Sequence, residues 1–382
     1  MKRGGERMRR AIQYGWWALL GLYGLLAMPH ESDAQPRNGL QPFENLSVDS
    51  AQHRVSYEQR LYRNPMTGLL KLAALLEKQG INEFVPLVQG IPIASYRLDN
   101  TLTTTRLSRQ ERRAWANAHP FSGRAYKFDI RLQPEFIAQF GYRERTVESK
   151  TNLLVQSQLY VSRGLVLNWG VLVPLINHLD NQALNVRLAP TFLNQFLALG
   201  GSDFLSLSAG LFYNDQYGIN GQYRHADLNG NWSYGLEASL TGFYYYPENG
   251  FYHRAMKTVM VLADVAYRFP RQDVTLKASG GQFLFNDQGV RFDLIRQLGN
   301  VEVGFYATKT GNGGTGGFSF AIPIPPGRIV QTPHVRVRSS EEFRWEYAYS
   351  RGYNIGTRYR LGYQLDALLR QYHHSYLQNQ YR

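Results

Sequence analysis

The chain has 382 residues, a formal net charge of +13 and a mean hydropathy of −0.38, with 26 Tyr and 36 Gly but no Cys. The missing cysteine excludes a disulfide framework, thiolate catalysis and Cys-ligated metal. Abundant Tyr and Gly at negative hydropathy suit strands that are apolar on one face only, more than the Leu/Ile/Val/Ala core of a soluble enzyme.

The N-terminus reads as an export signal, residues 1–34. Lys2, Arg3, Arg7, Arg9 and Arg10 form a basic start, Ala11 to Met28 is apolar but broken by Gly15, Gly21 and Gly24, and Ser32-Asp33-Ala34 resembles a small-residue cleavage site. No later run approaches the ~20 apolar residues of a helical span. If the exported chain enters a membrane it must do so as a closed barrel, in which every strand's backbone groups are paired.

Residues 35–120 are expected to form a small α/β periplasmic module and linker. Residues 35–53, with Pro36 and Pro42, read as a flexible start. Val55 to Tyr62 alternates like a strand. Leu69, Leu70, Leu72, Leu75 and Leu76 then recur at helical spacing within Met66–Gln79, before Gly80 as a C-cap. Phe84–Val88 and Ile91–Leu98 read as two strands joined near Gln89-Gly90. The charged stretch from Arg106 to His119 reads as a helix or linker.

From about Tyr126 a period of two takes over, and residues 121–365 are assigned to a transmembrane antiparallel β-barrel of about 14 strands, within a range of about 12–16. Leu205, Leu207, Ala209 and Leu211 oppose Ser206, Ser208 and Gly210; Trp232, Tyr234, Leu236, Ala238 and Leu240 oppose Ser233, Gly235, Glu237, Ser239 and Thr241. Val301, Val303, Phe305 and Ala307 oppose Glu302, Gly304, Tyr306 and Thr308, while Phe343, Trp345 and Tyr347 oppose Arg344 and Glu346. Gly311–Gly317 and Pro323–Pro333 look too irregular for strands and are placed in loops or at the rim. A last strand is expected near Tyr353–Tyr363, with residues 366–382 as a tail folded into or below the barrel.

Three stretches carry a family likeness: VSYEQRLYRNPMTGLLKLAALLEKQG (Val55–Gly80), the block Leu188–Tyr246 with LSLSAGLFYNDQYGINGQYRH, and GNVEVGFYATKTGNGGTGGFSFAIPIP (Gly299–Pro325). In these the chain resembles the YjbH family, outer-membrane proteins encoded with exopolysaccharide production and secretion genes. The resemblance implies a β-barrel in export or assembly of an extracellular polysaccharide, and it supplies no catalytic residue. Asn354-x-Gly356-x-x-Tyr359-x-Leu361 also looks like the terminal-strand signal of outer-membrane barrels.

No G-x-S-x-G, P-loop or H-E-x-x-H motif is present. The adjacent His373 and His374 point apart on a helix or strand, and read as tail residues rather than metal ligands. The chain is therefore expected not to be an enzyme and to need no cofactor. The strand facing turns Arg224, Arg268, Arg291, Arg344, Arg358 and Arg360 inward with Glu237, Asp264, Asp293, Glu302 and Glu346. These are the candidate glycan contacts, since arginine forks suit acidic groups and sugar hydroxyls. An Arg/Glu network that merely props the interior reads equally well. The expected partners are an extracellular polysaccharide, acidic if the cation excess guides it, the outer membrane with its lipopolysaccharide, and periplasmic export proteins. Nucleic acid is excluded, because the charges alternate through strands of an exported chain. The competing assignments are a general porin or small-solute channel and, further off, a lipid- or glycan-modifying barrel enzyme.

Overall fold

The computed structural model describes residues 40–140, 147–180, 182–248, 250–324, 329–348, 354–358 and 364–381. The expected export signal lies outside these, as does Arg360. No described helix is long and apolar enough to cross a membrane, which says nothing about crossing by strands.

The N-terminal module is built on β1 (Phe43–Asp49), β2 (Arg54–Gln59), β3 (Glu83–Val88), β4 (Ile91–Pro92), β5 (Ala94–Leu98) and β6 (Leu102–Arg106), in the order β1-β2-β3-β5-β6 with β4 on β3. β2 and β3 run parallel, Val55 opposite Phe84, and α1 (Pro65–Leu76) connects them. The helix starts where Asn64 accepts a bond from the Met66 amide at 2.9 Å and Pro65 supplies the first-turn φ. Met66, Leu69, Leu72 and Leu76 form its buried stripe, and the chain leaves through Gly80 at φ 67°, a left-handed cap suited to glycine. Residues Arg109–Ala118 form α2, held by a capping box between Ser108 and Glu111. The flexible start expected over 35–53 is corrected in part: Phe43–Asp49 pairs antiparallel with β2, and Phe43 packs edge-on to Tyr57 at 5.7 Å. Pro36 and Pro42 precede that strand, so they do not interrupt its ladder.

The second sheet comprises β7 (Phe128–Phe140), β8 (Val147–Ser162), β9 (Leu165–Asn177), β10 (Arg187–Leu188), β11 (Thr191–Gly200), β12 (Asp203–Leu211), β13 (Gln216–Ala226), β14 (Trp232–Tyr245), β15 (Tyr252–His253), β16 (Thr258–Phe269), β17 (Val274–Gln282), β18 (Gln288–Leu298), β19 (Val301–Thr310), β20 (Gly313–Pro323), β21 (Val330–Gln331), β22 (Val335–Ser339) and β23 (Glu342–Ala348). The protein is thus mainly β. Long strands pair antiparallel with their neighbours, β23 pairs with β20, and β22, continuous in the chain with β23, pairs with β7, so the hydrogen-bonded order returns to its start. One expectation changes here: the closing pair is parallel, Val335 opposite Phe128.

The period-two pattern is realised as read. Ser206 and Ser208 are buried while Leu207 is exposed; Glu302, Gly304, Tyr306 and Thr308 are buried between less covered neighbours. The glycine run is the second correction. Gly313–Gly317 is strand, paired with Tyr306–Thr310. A Cβ on Gly317 would lie 2.0 Å from the Tyr347 carbonyl oxygen and 2.8 Å from the Tyr306 ring, so bare backbone lets three strands close around that ring. Within Pro323–Pro333, Val330–Gln331 is a short strand on β22, and residues 325–328 lie outside the description.

The expected last strand is not found where it is described. Asn354–Arg358 is not strand, Tyr353 and residues 359–363 lie outside the description, and Gln364 leads into α3 (Leu365–Gln371) and then α4 (His374–Tyr381). The described parts of this segment lie along the inside of the sheet. The Leu284 amide donates to the Thr357 carbonyl and Asn312 Nδ2 to that of Asn354, both at the end away from the module. Leu365 N then donates to Gln222 Oε1, and Asn379 Nδ2 to the Pro270 carbonyl at the module end. The largest apolar cluster accordingly sits at that rim, joining α1 and the module sheet to Phe196, Phe204 and Leu228 of the wall and Leu369, Tyr376 and Leu377 of the C-terminal helices.

Candidate functional site: the charged lumen

Alternation brings every second side chain of the wall inward, and many of these are ionic. Arg224 on β13 meets Asp264 on β16 across Gly235 of the intervening β14, the three residues being in register. Lys277 Nζ lies 2.7 Å from Asp366 on α3. Arg268 reaches Asp273 at 2.7 Å, Gln297 Oε1 at 2.7 Å and Ser375 Oγ at 2.8 Å. Arg291 pairs with Asp293 at 2.8 Å, lies 3.5 Å from Glu346 and stacks over Tyr306, 3.7 Å from the ring centroid. Glu237 accepts from Asn220 Nδ2 at 3.1 Å.

Glu302 is the junction of the three parts of the molecule. Its carboxylate is 2.9 Å from Arg344 of the wall, 3.2 Å from Arg370 of α3 and 3.9 Å from Arg63, which precedes α1. Arg63 also reaches Glu342 at 2.7 Å. Arg358 lies within the field of the charges of Asp293, Asp366, Glu237 and Asp264. Of the inward residues named from the sequence, every described one therefore has partners within the chain; Arg360 lies outside the description.

A second ionic centre escaped the sequence reading. Asp129, at the start of β7, holds Arg336 at 2.6 Å and Arg338 at 2.8 Å, with Arg60 of the module 3.9 Å away. Glu44 on β1 binds Arg60 at 2.7 Å and accepts from the Lys127 amide at 2.8 Å. Burial pushes the Glu44 carboxyl up, but Arg60 and Arg336 outweigh it and hold it below the usual carboxylate range. Glu58 shows the opposite balance: burial dominates and raises it, although it accepts bonds from Gln89 N, Gly90 N and the hydroxyls of Tyr126 and Tyr160. The Val335-Arg336-Val337-Arg338 alternation was the available signal for this centre; apart from Glu341, 2.9 Å from Arg338, its carboxylate partners Asp129 and Glu44 lie more than 200 positions away in the chain.

His373 and His374 serve as fasteners. His373 Nε2 lies 2.8 Å from the Gly230 carbonyl and its Nδ1 3.0 Å from Ser375 Oγ, while His374 Nδ1 is 3.1 Å from Thr104 Oγ1. Among the described residues no group of three His, Asp or Glu side chains is placed to hold a metal ion. Between module, wall and α3 remains a cavity of about 250 Å³, lined by both arginines and carboxylates, Arg131, Glu341, Arg344 and Glu346 among them.

The fold and its interior define a mainly β protein whose large sheet turns a charged, internally paired face inward and is threaded by its own C-terminal segment. Residues 181–339 match the family model YjbH, described as "Exopolysaccharide biosynthesis protein YbjH". The match supports the YjbH resemblance; it spans two of the three stretches on which that likeness rests, the third being in the module. No curated protein and no solved structure matches the chain.

Proposed function

We propose that this chain is an exported outer-membrane β-barrel that acts without catalysis in the export or assembly of an exopolysaccharide, its module facing the periplasm. The observation that carries the reading is the inversion of its surface. Trp232, Phe292 and Phe305 are 62%, 59% and 57% exposed on the outside of strands whose inward neighbours are Ser, Gly and paired charges. Leu193, Leu236, Val261, Val265 and Leu294 continue the apolar belt. Such a surface costs free energy in water and gains it in hydrocarbon. Most turns at the module end are short, Arg163-Gly164 and Gly299-Asn300 among them, while the longer connections from β9 to β10 and from β14 to β15 stand at the other, much as periplasmic turns and outer loops are arranged.

The family description supplies the polysaccharide, and the internal ion pairs argue against an open porin. Lys277–Asp366 and Arg370–Glu302 fasten α3 inside the closed sheet, where a solute channel needs an aqueous path. In this reading the paired arginines and carboxylates first hold the C-terminal segment, and they meet glycan hydroxyls or acidic groups only where that segment leaves them accessible. The test combines two measurements on the full chain. Heat-dependent gel mobility after membrane extraction reads the barrel, and deletion of the gene should lower surface polysaccharide without raising outer-membrane permeability. Large, weakly selective conductance in planar bilayers would replace this reading with the porin.

A further inference from the structure

The charges of the wall are not settled alike at its two ends. Around α3 the carboxylates of Glu302 and Asp366 are each held by arginine or lysine. At the end away from the module three groups are held differently. Glu135 of β7 accepts from Asn152 Nδ2 at 2.6 Å, and Asp215, in the turn from β12 to β13, accepts from Gln182 Nε2 at 2.7 Å. Arg187 of β10 donates from Nη1 to the Ala183 carbonyl at 3.1 Å. Among the described residues none of these three forms an ion pair, and all three are half-buried.

Aromatic rings gather beside them, on the connection from β14 to β15, and their contacts divide them into two sets. Tyr244, Tyr246 and Phe251 are mutual neighbours, with ring centroids 5.9 Å apart for Tyr244–Tyr246 and Tyr244–Phe251 and 5.2 Å for Tyr246–Phe251. Tyr245 instead meets Phe243 at 6.1 Å and Tyr252 at 5.3 Å. Tyr244 is buried; its amide donates to the Asp215 carbonyl at 2.9 Å and its hydroxyl to the Phe212 carbonyl at 3.2 Å. The charges of Asp215, Arg187 and Glu135 act on Tyr244, and that of Arg187 on Tyr246 as well. The first set therefore shares its side of the connection with the three unpaired groups, and its outermost ring, Phe251, is 48% exposed.

Two long connections converge to build this place. Three strands separate β10 from β14 in the wall, yet Asn185 Nδ2 donates to the Glu248 carbonyl at 3.2 Å. Gln182 from one connection and Tyr244 from the other both bind Asp215, so the short turn from β12 to β13 anchors the pair. Ring faces thus stand beside a guanidinium and two carboxylates. A pyranose ring answers both. Its face of C–H bonds settles on the negative face of an aromatic ring, and its rim of hydroxyls donates to carboxylates and accepts from arginine. An acyl chain would use the rings and leave the polar groups without partners, which costs free energy.

We propose that this cluster is a saccharide-binding site at the end of the wall away from the module, where a pyranose unit of the polysaccharide stacks on Phe251 and Tyr246 and sets its hydroxyls on Arg187, Asp215 and Glu135. The inference deepens the exopolysaccharide reading and rests on it. The contact is distinct from the arginines and carboxylates that hold α3.

Saturation-transfer NMR on the full chain in detergent reads which sugar C–H protons touch the protein. One probe is the set of oligosaccharides released from the surface polysaccharide of the producing cell; the other is lipopolysaccharide core oligosaccharide. Phe251→Ala and Arg187→Gln should each weaken binding of the first probe by about five- to tenfold, while Phe251→Trp, which keeps a ring, and Tyr252→Ala, in the second aromatic set, should change it by less than about twofold. Heat-dependent gel mobility checks that each variant folds. No transfer to the first probe in the parent, undiminished binding by Phe251→Ala and Arg187→Gln, or an equal loss in Tyr252→Ala overturns the site. Tighter binding of the core oligosaccharide overturns it too, since the rings would then serve the surrounding leaflet. The two readings fail separately: Phe251-dependent binding in a chain whose gene deletion leaves surface polysaccharide unchanged would sustain the saccharide site and overturn the export role.

Discussion

Arg224 and Asp264 meet inside the wall although a whole strand separates them. Gly235 occupies the register position between them, and a Cβ there would come within 2.7 Å of Arg224 Nη2 and 2.9 Å of Asp264 Oδ2. One missing methyl group thus joins β13 to β16, and Lys277, 3.9 Å from Asp264, extends the network toward α3.

Gly235→Val should part that pair and strand two nearly buried charges, with a loss of about 3 kcal/mol. The measurement is folded fraction against urea, read by heat-dependent mobility. Asp264→Leu alone should lose a similar amount, and the double variant with Arg224→Leu clearly less. A double-variant loss equal to the sum of the Asp264→Leu and Arg224→Leu losses would mean that the pair contributes no coupling.

Glu302→Gln removes the charge shared by Arg63, Arg344 and Arg370, leaving three arginines to Glu342 and Asp366. The expected outcome is looser docking of the C-terminal helices, by about 2–4 kcal/mol, with faster proteolysis there and intermittent conductance in planar bilayers. A silent bilayer and unchanged proteolysis would show that apolar packing alone holds α3 and α4.

His373 gives the docking a pH dependence. Burial and the neighbouring Arg268 depress its ring to about 4, against an ordinary 6.5. Below about 6.5 the released ring takes up a proton that the docked ring refuses. The stabilisation is therefore complete above about 6.5 and falls away as the pH drops toward about 4, on the order of 3 kcal/mol in all. Proteolytic release of the C-terminus between pH 7 and 4 should follow that curve, and His373→Gln should flatten the His373 contribution.

The glycine run of β20 separates two kinds of position. Gly317→Ala should strongly impair folding, since its Cβ meets the Tyr347 carbonyl at 2.0 Å, whereas at Gly314 the nearest atom is 3.7 Å away. Gly314→Ala should be nearly neutral. Comparable yields of heat-modifiable protein from both would count against the close approach at Tyr306.

The sequence by itself determined what is local and periodic. Alternation turned Leu207 and Phe305 outward and Ser206, Arg291 and Glu302 inward, because a strand has two faces and a slip of one residue reverses them. The Leu repeat and Gly80 likewise located α1. Alternation could not choose partners. That Arg336 and Arg338 share Asp129, and that Glu302 gathers Arg63 and Arg370, depends on closing the sheet and returning the tail through it, contacts separated by up to 239 positions. Local signals misled where tertiary space mattered: glycines that resemble a loop form β20 because Tyr306 needs the room, and Asn354–Arg358, at the start of the expected last strand, is not strand.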